Sequence, residues 1–299
     1  MSDVKQNEQQ GLLLEGIGGF YYVEAADTVY ECKARGSLRR ERVTPVAGDR
    51  VVITVPDEGY GVLERVLPRR NVMVRPPVAN LDCLAICVSV AQPRPNLLLL
   101  DKMIALAEDL SIEPLVVVTK TDLSAPPFPE QVYRDAGFAV FSVNTAAPET
   151  AKPLRDFLRG KITAFTGNSG VGKSSLLNLL DPTLQRETGD ISEKLGRGRH
   201  TTRSTVLIPL ADGGYLADTA GFSSLDTERM VTVDKERLFD CFREFAPYFG
   251  KCRFTGCSHV HEPQCAVRQA VEDGAIAPSR YDSYTVMYAE ASTRKPWEK

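Results

Sequence analysis

The segment Gly167-Asn168-Ser169-Gly170-Val171-Gly172-Lys173-Ser174 decides the fold of this chain. It matches the pattern G-x-x-x-x-G-K-[ST], whose glycines allow backbone N–H groups to close around phosphate oxygens. The flanking residues agree, because Lys161–Thr166 is typical of a strand and Ser174–Leu180 opens a helix, whose N-terminus favours an anion. The sequence therefore predicts a P-loop that holds the phosphates of a nucleotide.

Polar side chains in and after this loop have expected roles in binding and hydrolysis. Lys173 should reach the β- and γ-phosphates, and we assign it a catalytic role. The Ser174 hydroxyl should ligate Mg²⁺, and Ser175 beside it completes the predicted nucleotide-binding segment. Asp218 ends a strand-like run and should hold the same ion, while Gly221 of Asp218-Thr219-Ala220-Gly221 should sense the γ-phosphate.

A second motif, Thr119-Lys120-Thr121-Asp122, follows an apolar run and resembles the [NT]-K-x-D element of GTPases. The Asp122 carboxylate can accept hydrogen bonds from guanine N1–H and N2–H₂, which adenine does not offer, so this residue should select guanine. We expect Lys120 to pack along the base, and Thr119 stands where asparagine is usual. Ser142-Val143-Asn144 resembles the loop whose backbone caps the guanine. An ATP-dependent enzyme with the same P-loop is the alternative that Asp122 opposes.

The order of these motifs is unusual, because the base motif and its cap precede the P-loop. The same sheet can be built in that order if the chain is circularly permuted. Buried-strand runs such as Cys83–Val90 alternate with helical spacing such as Leu97–Leu110. This rhythm predicts a doubly wound α/β GTPase domain over residues 75–249.

Smaller regions flank the predicted GTPase domain on both sides. Residues 1–10 are typical of a disordered tail. Short β-like runs separated by turn residues over 11–74 predict an all-β barrel, an OB fold with an SH3-like barrel as the alternative. Residues 250–299 hold a cysteine/histidine cluster and then mostly helical sequence, which predicts a mainly helical, zinc-binding C-terminal domain.

Three cysteines and two histidines are concentrated in the C-terminal region. The spacing Cys252-x₄-Cys257-x-His259-x₅-Cys265 offers four ligands suited to a closed, tetrahedral structural zinc site. A zinc hydrolase is a remote alternative, since four close ligands leave no open coordination position. On local geometry alone, His261 could replace His259. The other four cysteines lie in apolar contexts that are typical of core residues.

The chain resembles the bacterial ribosome small-subunit-dependent GTPase A (RsgA/YjeQ) family in its combination of a predicted barrel, a permuted GTPase domain and a cysteine/histidine cluster. The most specific pieces are GNSGVGKSSLLN, Gly198-Arg199-His200-Thr201-Thr202, DTAGF and Cys252–Cys265. Family members typically have proline where Ala220 stands. The resemblance implies a GTPase that binds the 30S subunit and its 16S rRNA late in maturation, slow alone and faster on the subunit. It also favours His259 over His261 as the zinc ligand.

The stretch Leu195–Arg203 lies between the P-loop and Asp218, where switch I belongs. Thr201 and Thr202 are both candidates to ligate Mg²⁺ when GTP is bound. His200 is a candidate to orient the attacking water, with a ribosome contact as the alternative role. Ras-like enzymes place a water-orienting glutamine where this chain has Phe222, so hydrolysis should be slow or use another group. A nucleotide-gated rRNA-binding protein with negligible turnover is therefore the alternative function.

Basic residues are concentrated in a glycine-flanked loop of the predicted barrel and in the switch I stretch. Such loops suit contacts with the RNA backbone. The barrel loop has no interleaved aromatic residues, which favours phosphate contact over base stacking. The predicted RNA-binding residues are Lys33, Arg35, Arg39, Arg40, Arg42, Arg197 and Arg199.

The composition is that of an ordinary globular chain, with 299 residues, 43% hydrophobic and 25% charged. The net charge of −3 gives no nucleic-acid signal for the chain as a whole, so any RNA contact must be local. No apolar run is long enough to span a membrane, and the polar N-terminus lacks the apolar core of a signal peptide. We expect a cytoplasmic monomer with no membrane partner.

Overall fold

The computed structural model describes residues 8–40, 42–56, 59–74, 76–123, 128–184, 205–219 and 233–293. Internal contacts divide the chain into two compact units. The first comprises Met1–Cys83, Leu154–Phe165 and Leu177–Phe222, and the second comprises Leu84–Pro153, Thr166–Leu176 and Ser223–Lys299. No helix within these described ranges is long and apolar enough to cross a membrane.

The first unit begins with a closed barrel of five strands. Leu13, Val23 and Ile53 are among the apolar side chains that fill it. The elements are β1 (Glu8–Ile17), β2 (Phe20–Ala25), β3 (Thr28–Ala34), helix α1 (Gly36–Arg40), β4 (Arg50–Thr54) and β5 (Gly61–Val66). The strand order is β1-β2-β3-β5-β4, and all of its pairs are antiparallel except β3 with β5. This order is that of a Greek-key barrel, as in the OB fold.

Two features of the barrel differ from the sequence-based prediction. The first strand begins at Glu8, inside the predicted tail 1–10, because the backbone of residues 8–10 pairs with β4. Backbone pairing does not require apolar side chains, so a polar sequence can still form this strand. The basic stretch 33–42 is not one loop, since Lys33 lies in β3 and Gly36–Arg40 form α1.

A ribbon of β6 (Val72–Met73) and β7 (Val78–Ala79) follows the barrel, and the remaining strands form a second sheet. These strands are β8 (Cys83–Ser89), β9 (Glu113–Thr119), β10 (Ala139–Ser142), β11 (Ile162–Thr166), β12 (Thr205–Pro209) and β13 (Tyr215–Thr219). Their order is β10-β9-β8-β11-β13-β12, with β12 antiparallel to β13. All of β8 is buried, as its continuous apolar run predicts.

The described residues also include seven further α-helices and four short 3-10 helices, the latter at Pro148–Ala151, Pro182–Leu184, Phe239–Cys241 and Arg243–Tyr248. The α-helices are α2 (Leu97–Asp109), α3 (Glu130–Asp135), α4 (Lys152–Leu158), α5 (Lys173–Leu180), α6 (Lys235–Leu238), α7 (Ala266–Glu272) and α8 (Pro278–Ser292). In the second unit, one apolar core joins α2 to the C-terminal helices through side chains such as Phe242, Phe245 and Tyr284. The barrel, the α/β domain and the helical C-terminus confirm the predicted fold class.

Candidate functional site

The P-loop follows β11 and leads directly into α5, which begins at Lys173. Gly167 has a φ of +135°, and a Cβ at this position would lie 2.3 Å from the carbonyl oxygen of Cys87. No side chain fits in that space, so the glycine is required by the close approach of the loop to β8. Gly170 and Gly172 also have positive φ, which is the backbone shape of a phosphate-binding nest.

The ammonium group of Lys173 is folded over its own loop. Its Nζ donates hydrogen bonds to the carbonyl oxygens of Gly167, at 2.6 Å, and Asn168, at 2.9 Å. Burial lowers the pKa of Lys173 below its ordinary value. A phosphate oxygen bound in the loop can replace these carbonyls as the acceptor for the partly buried ammonium group of Lys173. The P-loop therefore fits a nucleotide bound with Mg²⁺.

Thr119 ties the base motif to the P-loop. Its buried hydroxyl donates a hydrogen bond to the Val171 carbonyl of the loop and also lies 3.1 Å from the Val88 carbonyl at the end of β8. A threonine hydroxyl therefore supports the phosphate loop at the position where GTPases usually have asparagine. Having threonine in place of asparagine therefore does not remove the hydrogen bond that holds the P-loop.

Removing this hydroxyl should weaken nucleotide binding. In Thr119→Val, the buried Val171 carbonyl loses its donor, and such a loss costs about 1 kcal/mol or more. We expect GTP and GDP affinities to fall about fivefold, as measured by titration with a fluorescent nucleotide. Thr119→Ser keeps the hydroxyl and is the matched control. Equal affinity of the valine variant and the native chain would contradict the supporting role.

The loop after Thr119 presents Asp122 to solvent. Lys120 has a φ of +57°, and the Leu123 N–H donates to its carbonyl oxygen at 3.0 Å, which closes a tight turn. The Lys120 ammonium donates to the Gln92 carbonyl, a partner that the sequence motif does not reveal. The Asp122 side chain has no hydrogen bond or ion pair with any described residue, so its oxygens can accept bonds from a ligand.

The predicted cap at 142–144 is held by local hydrogen bonds. The Ser142 hydroxyl donates to Glu130 of α3, and Val143 is buried. The Asn144 N–H donates to the Thr150 hydroxyl at 2.9 Å, and its side-chain oxygen accepts from the Ala146 N–H at 2.8 Å. These bonds fix the shape of the loop that follows β10.

Cys252, Cys257, His259 and Cys265 form a cluster whose ligand atoms all lie within 4.8 Å of one another. His259 Nδ1 is 3.5 Å from Cys252 Sγ and 3.4 Å from Cys265 Sγ, and the two sulfurs are 3.9 Å apart. Zinc–sulfur bonds of about 2.3 Å in a tetrahedron place sulfurs about 3.8 Å apart. The cluster therefore fits one zinc ion, with the histidine that the family resemblance favours.

Neighbouring groups orient these ligands. The Ala266 N–H points to Cys252 Sγ at 3.3 Å, and the His259 N–H points to Cys257 Sγ at 3.4 Å, as expected beside thiolates. The hydroxyls of Tyr281 and Tyr284 on α8 donate to the carbonyls of His259 and Ser258, each at 2.9 Å. Such second-layer contacts hold metal ligands in place.

Several predicted residues lie outside the described ranges. They are Arg197, Arg199, His200, Thr201, Thr202 and Gly221, together with Phe222. Asp218 lies in β13, at the strand end where the sequence places it.

The barrel cations have partners that the local sequence does not show. The Lys33 ammonium lies 4.5 Å from the centre of the Tyr60 ring and 5.1 Å from that of Phe20. The stretch 33–42 has no aromatic residue of its own, and these rings come from other strands and loops. Arg35 pairs with Glu64, whereas Arg40 and Arg42 are exposed. The Arg39 side chain lies outside the described part of the chain.

Family models and curated relatives match most of the chain. The model described as RsgA GTPase matches residues 66–228, and the RsgA N-terminal domain model matches residues 10–63. A relative from Caldanaerobacter subterraneus subsp. tengcongensis, named small ribosomal subunit biogenesis GTPase RsgA, is 43% identical over 96% of this chain and 97% of its own length. A relative of the same name from Geobacillus thermodenitrificans is also 43% identical, over 96% of this chain and 99% of its own.

Two solved structures have the same overall fold. YjeQ from Thermotoga maritima superposes with a TM-score of 0.79 at 31% identity, covering 96% of this chain and all of the other. YloQ, described as a circularly permuted GTPase, superposes with a TM-score of 0.81 at 33% identity, covering 99% of both chains. The motif order predicted from the sequence is therefore that of a known permuted GTPase.

Proposed function

The chain belongs to the RsgA GTPase family, and on that footing we propose that it hydrolyses GTP while bound to the small ribosomal subunit. Membership makes it a GTP-hydrolysing enzyme that acts in small-subunit biogenesis. One contact supports its nucleotide site above all, the hydrogen bond from Thr119 to the Val171 carbonyl. It links the base motif to the phosphate loop across 52 positions of sequence, so both motifs can serve one nucleotide.

The proposed site holds GTP at two ends. At the phosphate end, the backbone N–H groups of residues 167–172 surround the phosphates, and Lys173 moves from its loop carbonyls to the β- and γ-phosphates. Ser174 and Ser175 complete this end. At the base end, the exposed carboxylate of Asp122 accepts two hydrogen bonds from guanine, while Lys120 and the loop 142–144 enclose the ring.

Hydrolysis needs groups that bracket the γ-phosphate. When bound, Mg²⁺ supplies charge neutralisation at the phosphates. Ser174 and Asp218 would hold it, together with Thr201 or Thr202. Phe222 cannot orient water by hydrogen bonding, so we assign that task to His200, and Gly221 reports on the γ-phosphate through its N–H. This division predicts slow turnover until the subunit positions His200 for the attacking water.

The remaining regions attach the enzyme to its partner. One zinc ion held by Cys252, Cys257, His259 and Cys265 has a structural role, since four ligands leave no open position. The proposed contacts with the phosphates of 16S rRNA come from the barrel and the switch I stretch. They are made by Lys33, Arg35, Arg39, Arg40, Arg42, Arg197 and Arg199. The protein acts as a monomer, in the cytoplasm where the subunit matures.

The first experiment is GTP hydrolysis by the purified protein with and without 30S subunits. We expect 30S subunits to raise the turnover rate at least about tenfold, because completion of a GTPase site by a partner is worth far more than that in known cases. Phosphate release under single-turnover conditions measures the rate. The 50S subunit is the matched control and should leave it unchanged.

The second candidate is a nucleotide-gated rRNA-binding protein with negligible turnover. It is favoured by Phe222, which stands where Ras-like enzymes have their water-orienting glutamine. GTP-dependent binding of 30S subunits without any acceleration of hydrolysis would select this candidate. The proposed roles of His200 and of the basic switch I stretch in turnover would then be wrong.

A further inference from the structure

A cleft between α2, β8 and the P-loop, which we call the α2 cleft, has a volume of about 430 Å³, part of it open to solvent. All of the described residues that line it belong to the second unit. Buried apolar side chains form much of its wall, among them Val88 of β8 and Leu100 and Met103 of α2. Pockets for small molecules measure about 300–1,000 Å³ and are mostly apolar. The α2 cleft therefore suits the apolar part of one small ligand.

The exposed side of the α2 cleft is positively charged. Arg94 is the only charged residue among the described residues that line the cleft, and it forms no ion pair with any described carboxylate. Asn96 and Leu99 of the first turn of α2 also line it, and the Asn96 side chain accepts from the Leu99 N–H at 3.1 Å. The N–H groups of Leu97 and Leu98 have no acceptor within the helix. A guanidinium beside a helix N-terminus selects an anionic head group on the ligand.

The segment that carries Arg94 is held in a defined shape. Pro93 and Pro95 flank the arginine and also line the cleft, and each proline ring fixes its backbone φ angle. The carbonyl oxygen of Gln92 accepts a hydrogen bond from the Lys120 ammonium group. Because this backbone is already ordered, a ligand that pairs with Arg94 would lose little of its binding free energy to ordering the segment.

The α2 cleft shares two residues with the hydrogen bonds of the P-loop lysine. Gly167 and Asn168 line the cleft, and their carbonyl oxygens accept from Lys173 Nζ at 2.6 Å and 2.9 Å. Neither Lys173 nor Asp122 is among the residues that line it, so the cleft lies beside the proposed nucleotide site and is not part of it. GTP binding requires Lys173 to leave these carbonyls for the phosphates. A ligand that packs against this arrangement of the loop stabilises it and therefore opposes that transfer.

We propose that the α2 cleft is a binding site for a small organic carboxylate with one aromatic ring, and that this ligand weakens nucleotide binding. The carboxylate pairs with Arg94, because its two oxygens match the planar fork of a guanidinium. The ring packs against Leu100 and Met103, whose thioether makes favourable contacts with aromatic rings. The binding site stands on the cleft itself, whereas its effect on nucleotides rests on the proposed function.

The first test compares phenylacetate with phenylacetamide, which has the same ring but no charge, on the zinc-loaded, full-length protein. Titration followed by ligand-observed NMR measures both dissociation constants. We expect the acid to bind about fivefold more tightly, because a charge-assisted bond that is partly exposed to water replaces a neutral one. Arg94→Gln should reduce this preference to less than about twofold while the amide binds as before. Arg94→Lys keeps the charge and should retain part of the preference.

A second variant tests where the ring binds. Leu99→Phe adds bulk to a partly exposed residue that lines the cleft, so it should block both phenylacetate and phenylacetamide. Leu97→Phe makes the same change two positions away, at a residue that does not line the cleft, and is the matched control. GDP affinity and the melting temperature should be those of the native chain in both variants, which excludes loss of folding as the cause.

The effect on nucleotides is measured by GDP titration with and without saturating phenylacetate. GDP affinity should fall about fivefold, and GDP should weaken phenylacetate by the same factor, because coupling between two sites is reciprocal. Equal affinities for acid and amide, or native phenylacetate affinity in both Arg94→Gln and Leu99→Phe, would overturn the proposed site. Phenylacetate binding with unchanged GDP affinity would overturn its effect on nucleotides. A chain that binds phenylacetate as expected but binds no GDP would instead count against the proposed function alone.

Discussion

Asp122→Asn should lower the affinity for GTP about a hundredfold to ten-thousandfold and create binding of XTP. The native carboxylate can accept from both N1–H and N2–H₂ of guanine, and hydrogen bonds to a charged group are worth about 1.5–3 kcal/mol each. Asparagine turns one acceptor into an N–H donor, which faces a donor of guanine but an acceptor oxygen of xanthine. The exposed turn formed by Lys120 and Leu123 leaves room for the exchange without repacking.

The measurement is competition of GDP, XDP and ADP for a fluorescent nucleotide on both proteins. Asp122→Glu keeps the charge but moves it by one methylene, so it should weaken GDP without favouring XDP. ADP should remain a poor competitor throughout, because adenine has no N–H donors where guanine has N1–H and N2–H₂. Unchanged preference for GDP in the asparagine variant would remove Asp122 from base recognition and reopen the ATP-dependent alternative.

Contiguous motifs made most of the nucleotide site predictable from the sequence. The P-loop is a local structure, because its glycines and the following helix are adjacent in the chain, and both lie where the pattern predicts them. The same holds for the zinc ligands, which fall within 14 residues and meet in space. A buried parallel strand such as β8 can also be predicted from the sequence, since both of its faces must be apolar.

Contacts between distant parts of the chain were not predictable in this way. Nothing in the neighbourhood of Thr119 shows that its hydroxyl meets Val171, because this partner lies in the P-loop, 52 positions further along the chain. The sequence around Lys33 also does not show that the rings of Phe20 and Tyr60 lie beside its ammonium group. Such side-chain partners follow from strand register and packing, and a single sequence does not encode them locally.

Arg280 is the clearest case of a residue that sequence reasoning leaves on the surface. It lies on α8, yet its side chain is only 1% exposed. One terminal nitrogen, Nη1, is 2.6 Å from Asp101 of α2, and its Nε is 2.7 Å from Glu244. The guanidinium carbon lies 4.5 Å from the centre of the Phe242 ring. Burial raises the pKa of Asp101 above its ordinary value although the cation is adjacent.

Arg280→Met should therefore reduce the free energy of unfolding of the second unit by about 3–5 kcal/mol, the cost of leaving buried carboxylates without their cation. Methionine fills much of the space of the arginine stem, so lost packing contributes little. The expected deficit is smaller at pH 5.5 than at pH 8. A carboxyl whose pKa is raised in the folded state contributes most to the free energy of unfolding at low pH, where it is protonated. This contribution is lost as the pH rises. Urea unfolding followed by circular dichroism measures the difference.

An exposed ion pair supplies the comparison that isolates burial as the cause. Arg159 pairs with Asp156 at 3.3 Å, with 62% of the arginine side chain exposed. Arg159→Met should change the free energy of unfolding by less than about 1 kcal/mol, because solvent already screens that pair. Among the buried charges around Arg280, adding Asp101→Asn to Arg280→Met should recover part of the lost free energy of unfolding, since one uncompensated charge is gone. Equal losses of unfolding free energy for Arg280→Met and Arg159→Met would mean that the buried ion pairs of Arg280 contribute no more than a surface pair.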